Sequence, residues 1–313
     1  MVCGPHAQTM EESLRGGTVS SVYIIVHKGC ACVIDTGRFK ESFFALTRVL
    51  NQYVTTLKYI ILTHDHFDHV GNAERLRGEF GGEILAHSLD ATLIANPLCI
   101  YDNEIIQYHY GANVYDTWRD MGYTPKTIAA MRKTTERLFN VPLQVDQYIT
   151  EECMLDLNGL ELRLLHTPGH SPGSLSVYVP ASRSIYTGDL TFWVNPCRPY
   201  PIGNADKCVS SLERIRALGP RFCGHGHYLG IHNPLPRLNM IIGRHRTLER
   251  DILALLDTPL GIADLRARIF PDDPADSFAP IPENSIHAWL ISLMHRNRIV
   301  RMAGRNTVRW RKA

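Results

Sequence analysis

The chain has 313 residues, of which 44% are apolar and 20% are charged, with 33 lysines and arginines against 31 acidic residues. This apolar share and the net charge of only +2 exclude an intrinsically disordered chain. The apolar runs are far shorter than the ~20 residues that a membrane span needs, so we expect a globular protein that does not enter a membrane. The length favours two domains.

The first residues and the cysteines both predict a cytoplasmic location. Residues 1–17 lack the basic stretch followed by an apolar stretch that marks a secretory signal. The eight cysteines are scattered and form no CxxC pair, which is typical of buried free thiols and not of a disulfide framework.

The first ninety residues alternate between strand and helix patterns. Residues 21–36 form two runs rich in β-branched side chains, and residues 40–51 keep a helical spacing of apolar side chains. The apolar run at 59–62 predicts a buried strand that leads directly into THDHFDH at 63–69. A further helix and strand follow before residue 90, so the pattern indicates an α/β layer structure.

A segment at about 91–147 interrupts this alternation. It is rich in tyrosine and tryptophan and mostly helical in pattern, with Pro125 in the first turn of a helix that runs to about Leu138. A strand pattern resumes afterwards, where Asn158-Gly159 predicts a hairpin turn. We therefore predict a helical insertion within a sheet-based domain.

The pattern changes again from residue 244. Three helical stripes of apolar residues are followed by a short β-hairpin, which predicts a small winged-helix-like domain at 244–313 beside a catalytic domain at 1–243. Residues 1–243 carry a net charge of −2 and residues 244–313 a net charge of +4.

Four side chains that commonly bind metals lie within six residues at the end of the buried strand: His64, His66, Asp68 and His69. Crowding them together is unfavourable unless a cation offsets the cost, so the cluster predicts a metal site. Alternation along an extended segment places His64 and His66 on the same side, where they can share one ion. Asp68 and His69, at the turn into the next helix, can reach a second ion.

Further ligands have to come from elsewhere in the chain. His170, Asp189 and His225 each stand where a strand pattern gives way to a loop, and each is flanked by glycine. Glycine allows the backbone to turn sharply there and bring the side chain inward.

The segments THDHFDH, HTPGH, TGD and GHGH resemble, in their order and separations, the metallo-β-lactamase-fold hydrolase superfamily, and the resemblance covers essentially the whole chain. It implies an α/β fold, an αββα sandwich with the helical insertion and the small C-terminal winged-helix-like domain. It also implies two divalent metal ions. Zinc suits the histidine and carboxylate donors first, although iron and manganese fit them too. One ion would be held by His64, His66 and His170, the second by Asp68, His69 and His225, and Asp189 would bridge them.

Other residues near these motifs have less definite roles. Asp35 matches a position that the resemblance places beside the metals, either supporting them or serving the fold. His87 and His166 stand at strand ends, where a hydrogen-bonded structural histidine is the better interpretation. His227 and Tyr228 follow His225 closely enough to line the pocket.

A dinuclear site of this kind predicts metal-assisted hydrolysis. Two cations a few Å apart lower the pKa of a shared water to near neutrality, so hydroxide can attack a carbonyl carbon while the metals polarise its oxygen. No serine or cysteine nucleophile is needed. Asp68 is the candidate catalytic residue, because it can orient the nucleophile and pass its proton to the leaving group.

The predicted substrate is a small acyl compound. The motifs look most like the glyoxalase II-type branch, which implies cleavage of a thioester, ester or lactone. The insertion would then act as a lid, or alternatively form a packed helical pair or a homodimer contact, and its aromatic residues are Tyr101, Tyr108, Tyr110, Tyr115 and Trp118. A second wall would come from Phe192, Trp193 and Tyr200.

Two rival functions stay open. The last twenty residues carry seven basic side chains and no acidic one, which favours a nucleic acid partner and a metal-dependent ribonuclease or phosphodiesterase. Against it, the catalytic domain is slightly acidic and shows no basic stripe near the metal motifs. A di-iron redox enzyme would use the same ligands, but no domain for an electron carrier is recognisable.

Overall fold

The protein is described from a computed structural model. The residues that it describes are 7–11, 20–54, 56–110, 112–138, 143–191, 202–227, 229–271, 281–303 and 308–313. None of the helices within these ranges is both long enough and apolar enough to cross a membrane.

The first sheet has six strands in the order of the chain. They are β1 (Ala7–Glu11), β2 (Ser21–His27), β3 (Cys30–Ile34), β4 (Thr56–Ile61), β5 (Glu83–His87) and β6 (Gln147–Ile149). The pairs from β3 to β6 are parallel, and helices make the connections that parallel strands need. The first of these helices are α1 (Lys40–Tyr53), α2 (Phe67–Val70) and α3 (Ala73–Phe80). Gly81, at a φ of 74°, follows the last of them, because glycine adopts a positive φ at little cost.

The predicted helical insertion lies between β5 and β6. It contains α4 (Ala91–Ala95), α5 (Asn103–Tyr110), α6 (Val114–Asp120) and α7 (Pro125–Leu138), with a short 3₁₀ segment at Pro97–Tyr101. Pro125 opens α7, as the sequence predicted, since the first turn needs no backbone donor there.

The second sheet also has six strands. They are β7 (Cys153–Leu157), β8 (Leu160–His166), β9 (Leu175–Val179), β10 (Ser184–Tyr186), β11 (Phe222–Gly224) and β12 (Ile231–His232), with α8 (Ala205–Ala217) between β10 and β11. The predicted hairpin turn joins β7 to β8, with Asn158 at a φ of 53° and Gly159 at 94°. Two consecutive positive φ angles are those of a type I′ turn, which suits the twist of the flanking strands.

The two sheets pack face to face, which confirms the predicted sandwich. Ile25 and Leu85 of the first sheet share one core with Leu162 and Val177 of the second. The outer face of the first sheet is covered by α1 and α3, and that of the second by α8 and the helix that follows β12. Burial of both faces of each sheet gives the order helix, sheet, sheet, helix.

Three helices and a hairpin complete the chain. They are α9 (Leu235–Leu255), α10 (Ile262–Ile269), α11 (Ile281–His295), β13 (Ile299–Ala303) and β14 (Val308–Lys312). The predicted boundary at residue 243 falls inside α9, whose Leu238 packs on the second sheet and whose Leu248 packs among the C-terminal helices. One continuous helix thus belongs to both cores. The division into two domains and the winged-helix assignment of the second stay predictions.

A buried ion pair ties the hairpin to the insertion. Asp120, with a side chain only 2% exposed, accepts hydrogen bonds from Nε and Nη2 of Arg301 at 2.9 and 2.6 Å. Burial works to raise the pKa of the Asp120 carboxyl, but the nearby His287 ring and the Arg301 guanidinium outweigh it and lower that pKa. The ionised carboxylate is therefore the form that stabilises the fold.

We expect Asp120→Asn to lower the free energy of unfolding by about 2 kcal/mol at neutral pH, because the partly buried Arg301 guanidinium loses its closest carboxylate and keeps only Asp116 at 3.8 Å. Because folding depresses the pKa of Asp120, its contribution is present above the unfolded pKa of about 4 and is lost as the pH falls through the folded value. Urea unfolding of both proteins from pH 7 downward should show the two stabilities converging. The control Asp257→Asn removes the partner of Lys312. The Asp257 side chain is 74% exposed, so this change should lower the free energy of unfolding by less than about 1 kcal/mol. Equal losses in the two variants would contradict this account.

Candidate metal centre

The predicted ligands come together at one edge of the sandwich. His64 stands three residues after β4, His170 four residues after β8, and Asp189 three residues after β10. The carboxyl ends of these strands face the same edge, where loops can carry polar side chains that the sheets position. Asp68 and His69 belong to α2, which begins at Phe67, after a loop that follows β4 and carries His64 and His66.

The donor atoms form two groups, each within 4.8 Å. The first group consists of His64, His66, His170 and Asp189, and the second of Asp68, His69 and His227. Six of the seven residues that the sequence singled out are therefore brought together.

His225 is the exception, and it belongs to neither group within the described chain. Its ring is buried and its Nδ1 donates to the backbone oxygen of His227. Burial lowers the pKa of His225 to about 4, which keeps the ring neutral. The third donor of the second group is instead His227, whose Nε2 lies 3.1 Å from Oδ2 of Asp189. The sequence analysis expected His225 among the ligands and His227 in the pocket wall, and which of the two binds an ion stays a prediction.

The position of this loop depends on Gly226, which lies between the two histidines. Its backbone N–H donates to the oxygen of Gly188 at 2.7 Å, so the two loops run side by side. A Cβ atom at Gly226 would overlap Oδ1 of Asp189 and lie 2.8 Å from Cε1 of His69. This backbone can therefore approach the donors only as glycine.

We expect Gly226→Ala to weaken metal binding at both groups, because the added methyl group has to displace Asp189 of the first group and His69 of the second. Metal analysis of the purified variant, with circular dichroism to confirm folding, measures the effect. Gly78→Ala is the matched control, since a Cβ there meets no atom within 4 Å. Full metal content in Gly226→Ala would show that the loops can move apart at no cost.

Asp35 and Thr63 lie behind the donors and fix the orientation of two rings. Oδ2 of Asp35 accepts from Nδ1 of His69 and from the hydroxyl of Thr63, both at 2.8 Å. Because that hydroxyl donates to Asp35, it accepts from Nδ1 of His64, 2.9 Å away. Both rings thus carry their proton on Nδ1 and present Nε2 to the centre, as histidine ligands with an outer carboxylate do. Asp35 supports the site, as one of its two predicted roles implied.

The charges at the centre favour cation binding. Burial and the neighbouring rings of His69, His66 and His170 lower the pKa of His64 well below its ordinary value, so His64 is neutral. Burial works to raise the pKa of Asp189, but His227 and His69 hold it well below its usual range. Burial lowers the pKa of His69, yet Asp189, Asp35 and Asp68 together raise it. A cation at Nε2 of His69 would take the place of the proton that these carboxylates stabilise.

Three buried donor atoms make no hydrogen bond with any described residue: Nε2 of His64, Nε2 of His69 and Oδ1 of Asp189. Buried polar atoms are normally paired, and a metal ion would satisfy all three. The Asp189 carboxylate lies between the groups, with Oδ1 at 3.3 Å from Nε2 of His69 and Oδ2 at 3.6 Å from Nε2 of His170. This arrangement of His and Asp side chains fits a dinuclear metal site.

Asp90 is a functional candidate that the sequence analysis missed. Its buried carboxylate accepts from the Ser171 hydroxyl and from the Gly173 backbone N–H, both at 2.6 Å. It thereby holds the loop that carries His170. A lone aspartate 80 residues away from that loop carries no sequence pattern that could reveal the contact.

The other predicted residues divide between the fold and its surface. His87 and His166 stack with ring centroids 4.0 Å apart, and Nε2 of His166 donates to the backbone oxygen of Pro172. Both are structural histidines, as predicted.

The aromatic residues of the insertion mostly pack on one another. The Tyr101 and Trp118 ring centroids are 5.4 Å apart, and the Tyr115 hydroxyl donates to the backbone oxygen of Tyr101. Tyr108 is 85% exposed, while Tyr110 lines a cavity. Whether the insertion serves as a lid or a dimer contact stays a prediction. The remaining aromatic candidates lie outside the described residues, namely Phe192, Trp193, Tyr200 and Tyr228.

Comparison with known proteins identifies the family. The family model described as the metallo-beta-lactamase superfamily matches residues 15–227. The chain belongs to the metallo-beta-lactamase superfamily. All of the donors in the two groups lie within the matched residues.

Members of this superfamily resemble the chain to different extents. A hydroxyacylglutathione hydrolase from Haemophilus influenzae is 26% identical over 212 residues, which cover 64% of this chain and 82% of that protein. One from Pelagibacter ubique is 23% identical over 208 residues, 65% of each protein. The crystal structure of a metallo-beta-lactamase family protein from Thermus thermophilus has a TM-score of 0.75 at 20% identity, covering 99% of both chains. The fold of the whole chain, including the C-terminal helices and hairpin, therefore recurs in that superfamily member.

Proposed function

We propose that the protein is a dinuclear metal-dependent hydrolase that cleaves an ester, thioester or lactone of a small acyl compound. The observation that carries this proposal is the pair of donor groups, which meet at Asp189. The two relatives named as hydroxyacylglutathione hydrolases support an acylated thiol as the kind of substrate. Zinc is the proposed metal, with iron or manganese as the alternatives, because histidine and carboxylate donors suit all three.

The protein's side chains have defined tasks in this reaction. His64, His66, His170 and Asp189 would hold one ion, and Asp68, His69 and His227 the other. When bound, the two ions supply a water of lowered pKa as the nucleophile and an electrophilic partner for the substrate carbonyl. Asp35 and Thr63 keep the His69 and His64 rings in the tautomer that leaves Nε2 open.

Asp68 is the proposed proton carrier. Its Oδ2 lies 3.8 Å from Nε2 of both His69 and His227. In hydrolysis the acyl–oxygen or acyl–sulfur bond breaks, the hydroxyl of water joins the carbonyl carbon, and the remaining proton reaches the leaving group. A carboxylate at this position can accept that proton and deliver it.

Cleavage of nucleic acid has less support, because three of the seven basic residues among the last twenty are already paired with carboxylates of the protein. Arg301 is paired with Asp120, Arg296 with Glu249 and Lys312 with Asp257. A cation that is already paired gains little from a phosphate group.

A substrate panel tests the proposed reaction. Purified protein with its metals is assayed on an aryl ester, an acyl-thioester, a lactone, a phosphodiester and RNA, with a chelator-treated sample as control. We expect metal-dependent turnover of the acyl compounds. Turnover of only the phosphodiester or RNA would overturn the acyl assignment. The cytoplasmic location and a homodimer stay part of the proposal, to be checked by fractionation and light scattering.

A further inference from the structure

A cavity of about 510 Å³ lies where four parts of the chain meet. The helical insertion contributes α5 and α6, the loop around His170 contributes Gly169, Ser171 and Pro172, the start of α8 and the residues before it contribute 202–204 and Lys207, and the C-terminal part contributes α11 and Arg301. This volume is within the range of sites for small molecules. The C-terminal helices and hairpin therefore complete a cavity that the sandwich alone does not enclose.

The cavity adjoins the metal centre through one loop. Gly169 and Ser171, which line the cavity, are the chain neighbours of the metal donor His170. Asp90 fixes this loop through the Ser171 hydroxyl. A molecule in the cavity would thus lie against the loop that presents His170 to the centre.

The acidic side chains of the cavity wall are already matched by arginines. Asp120 is paired with Arg301, and Asp116 is paired with Arg119 and lies 3.8 Å from Arg301. Lys207, in the first turn of α8, also lines the cavity and makes no ion pair with a described residue. Of the two lysine and arginine side chains that line the cavity, Arg301 is paired and Lys207 remains to meet a negative group of a ligand.

One side of the cavity is apolar. Ala288, Ile291 and Met294 project from successive turns of α11, and Met121 of the insertion lines the same space. The apolar wall and the Lys207 ammonium group together favour a ligand with an apolar body and one negative charge.

We propose that this cavity binds the part of the substrate that is not cleaved, and that this part carries an apolar body and one anionic group placed against Lys207. The inference rests on the proposed acyl hydrolysis and narrows its substrate class. It also assigns the C-terminal part a role in substrate binding.

A pair of substrates of equal size tests the charge preference. The p-nitrophenyl ester of 4-methylpentanoic acid ends in a branched dimethyl group. The mono-p-nitrophenyl ester of succinic acid carries a carboxylate in its place. In Lys207→Met we expect KM for the succinyl ester to rise roughly fivefold, the strength of one exposed ion pair, with no change for the neutral ester. Lys207→Arg should restore most of the preference, and Lys40→Met, a change at the exposed first turn of α1, should leave both esters unaffected. An equal effect of Lys207→Met on both esters would overturn the charge assignment.

Binding of 4-phenylbutyrate, measured by isothermal titration on the metal-loaded protein, tests the cavity without turnover. We expect Lys207→Met to weaken binding roughly fivefold and Ile291→Trp, which fills the cavity, to abolish it, with 4-phenylbutanamide binding more weakly than the acid. Met294→Trp replaces Ile291→Trp if the latter does not fold. Binding that neither cavity-filling variant nor Lys207→Met changes would overturn this inference. Hydrolysis of no ester by wild type, with these binding effects intact, would overturn only the proposed reaction.

Discussion

Replacing Asp68 with asparagine is expected to lower turnover of an acyl substrate by about a hundredfold or more while most of the metal stays bound. In the native protein Oδ2 of Asp68 lies 3.8 Å from Nε2 of His69 and of His227. Asparagine keeps an oxygen atom there that can bind the metal of the second group. It cannot, however, accept and deliver a proton at neutral pH. Steady-state kinetics and metal analysis on the same preparation separate the two contributions.

Glu79→Gln serves as the control for Asp68→Asn. It makes the same carboxylate-to-amide change on an exposed position of α3, the helix after α2. We expect native kinetics in that variant. Near-native turnover in Asp68→Asn would remove Asp68 from the proposed proton transfer, and loss of both metals would show that it acts only as a ligand.

Replacing His227 with alanine is expected to lower the metal content from two ions per chain to one and to reduce activity by at least a hundredfold, since both ions act on the same water. The second group then retains only Asp68 and His69 of its three donors. The first group keeps all four of its donors, so one ion should remain.

His225→Ala is the matched comparison, because His225 is equally buried and only two residues away. Its ring donates to the backbone of His227 and offers no donor to either group, so we expect two ions and a modest loss of stability. If His225→Ala loses the ion and His227→Ala keeps it, the original expectation for His225 would be right and the arrangement of this loop wrong.

The contiguous parts of the site were predictable from the sequence. The apolar residues of β4 predict a buried strand, which leads into His64, His66, Asp68 and His69. The shared location of these four side chains therefore follows from the local pattern alone. The strands and the turn at Asn158-Gly159 were predictable for a similar reason, since neighbouring residues specify them, whereas the sandwich was expected from the resemblance to the superfamily.

The choice between His225 and His227 was not predictable. Both follow β11 and both neighbour Gly226, so the motif alone treats them alike. In the structure His227 lies among the donors and His225 does not, and Asp189 leaves room beside it only for a glycine at position 226. Asp90 and the Asp120–Arg301 pair depend likewise on contacts between residues more than 80 positions apart. The boundary expected at residue 243 lies inside α9 because a helix can change its packing partner without any break in its own pattern.

The number of metal ions bound per chain tests the central claim most directly. Elemental analysis of the purified wild-type protein, repeated after chelation and reloading with zinc, gives that number without any assumption about the substrate. We predict two ions per chain in both samples, falling to one in His227→Ala. A folded wild-type protein that binds one ion or none would contradict the dinuclear centre and the hydrolysis built on it.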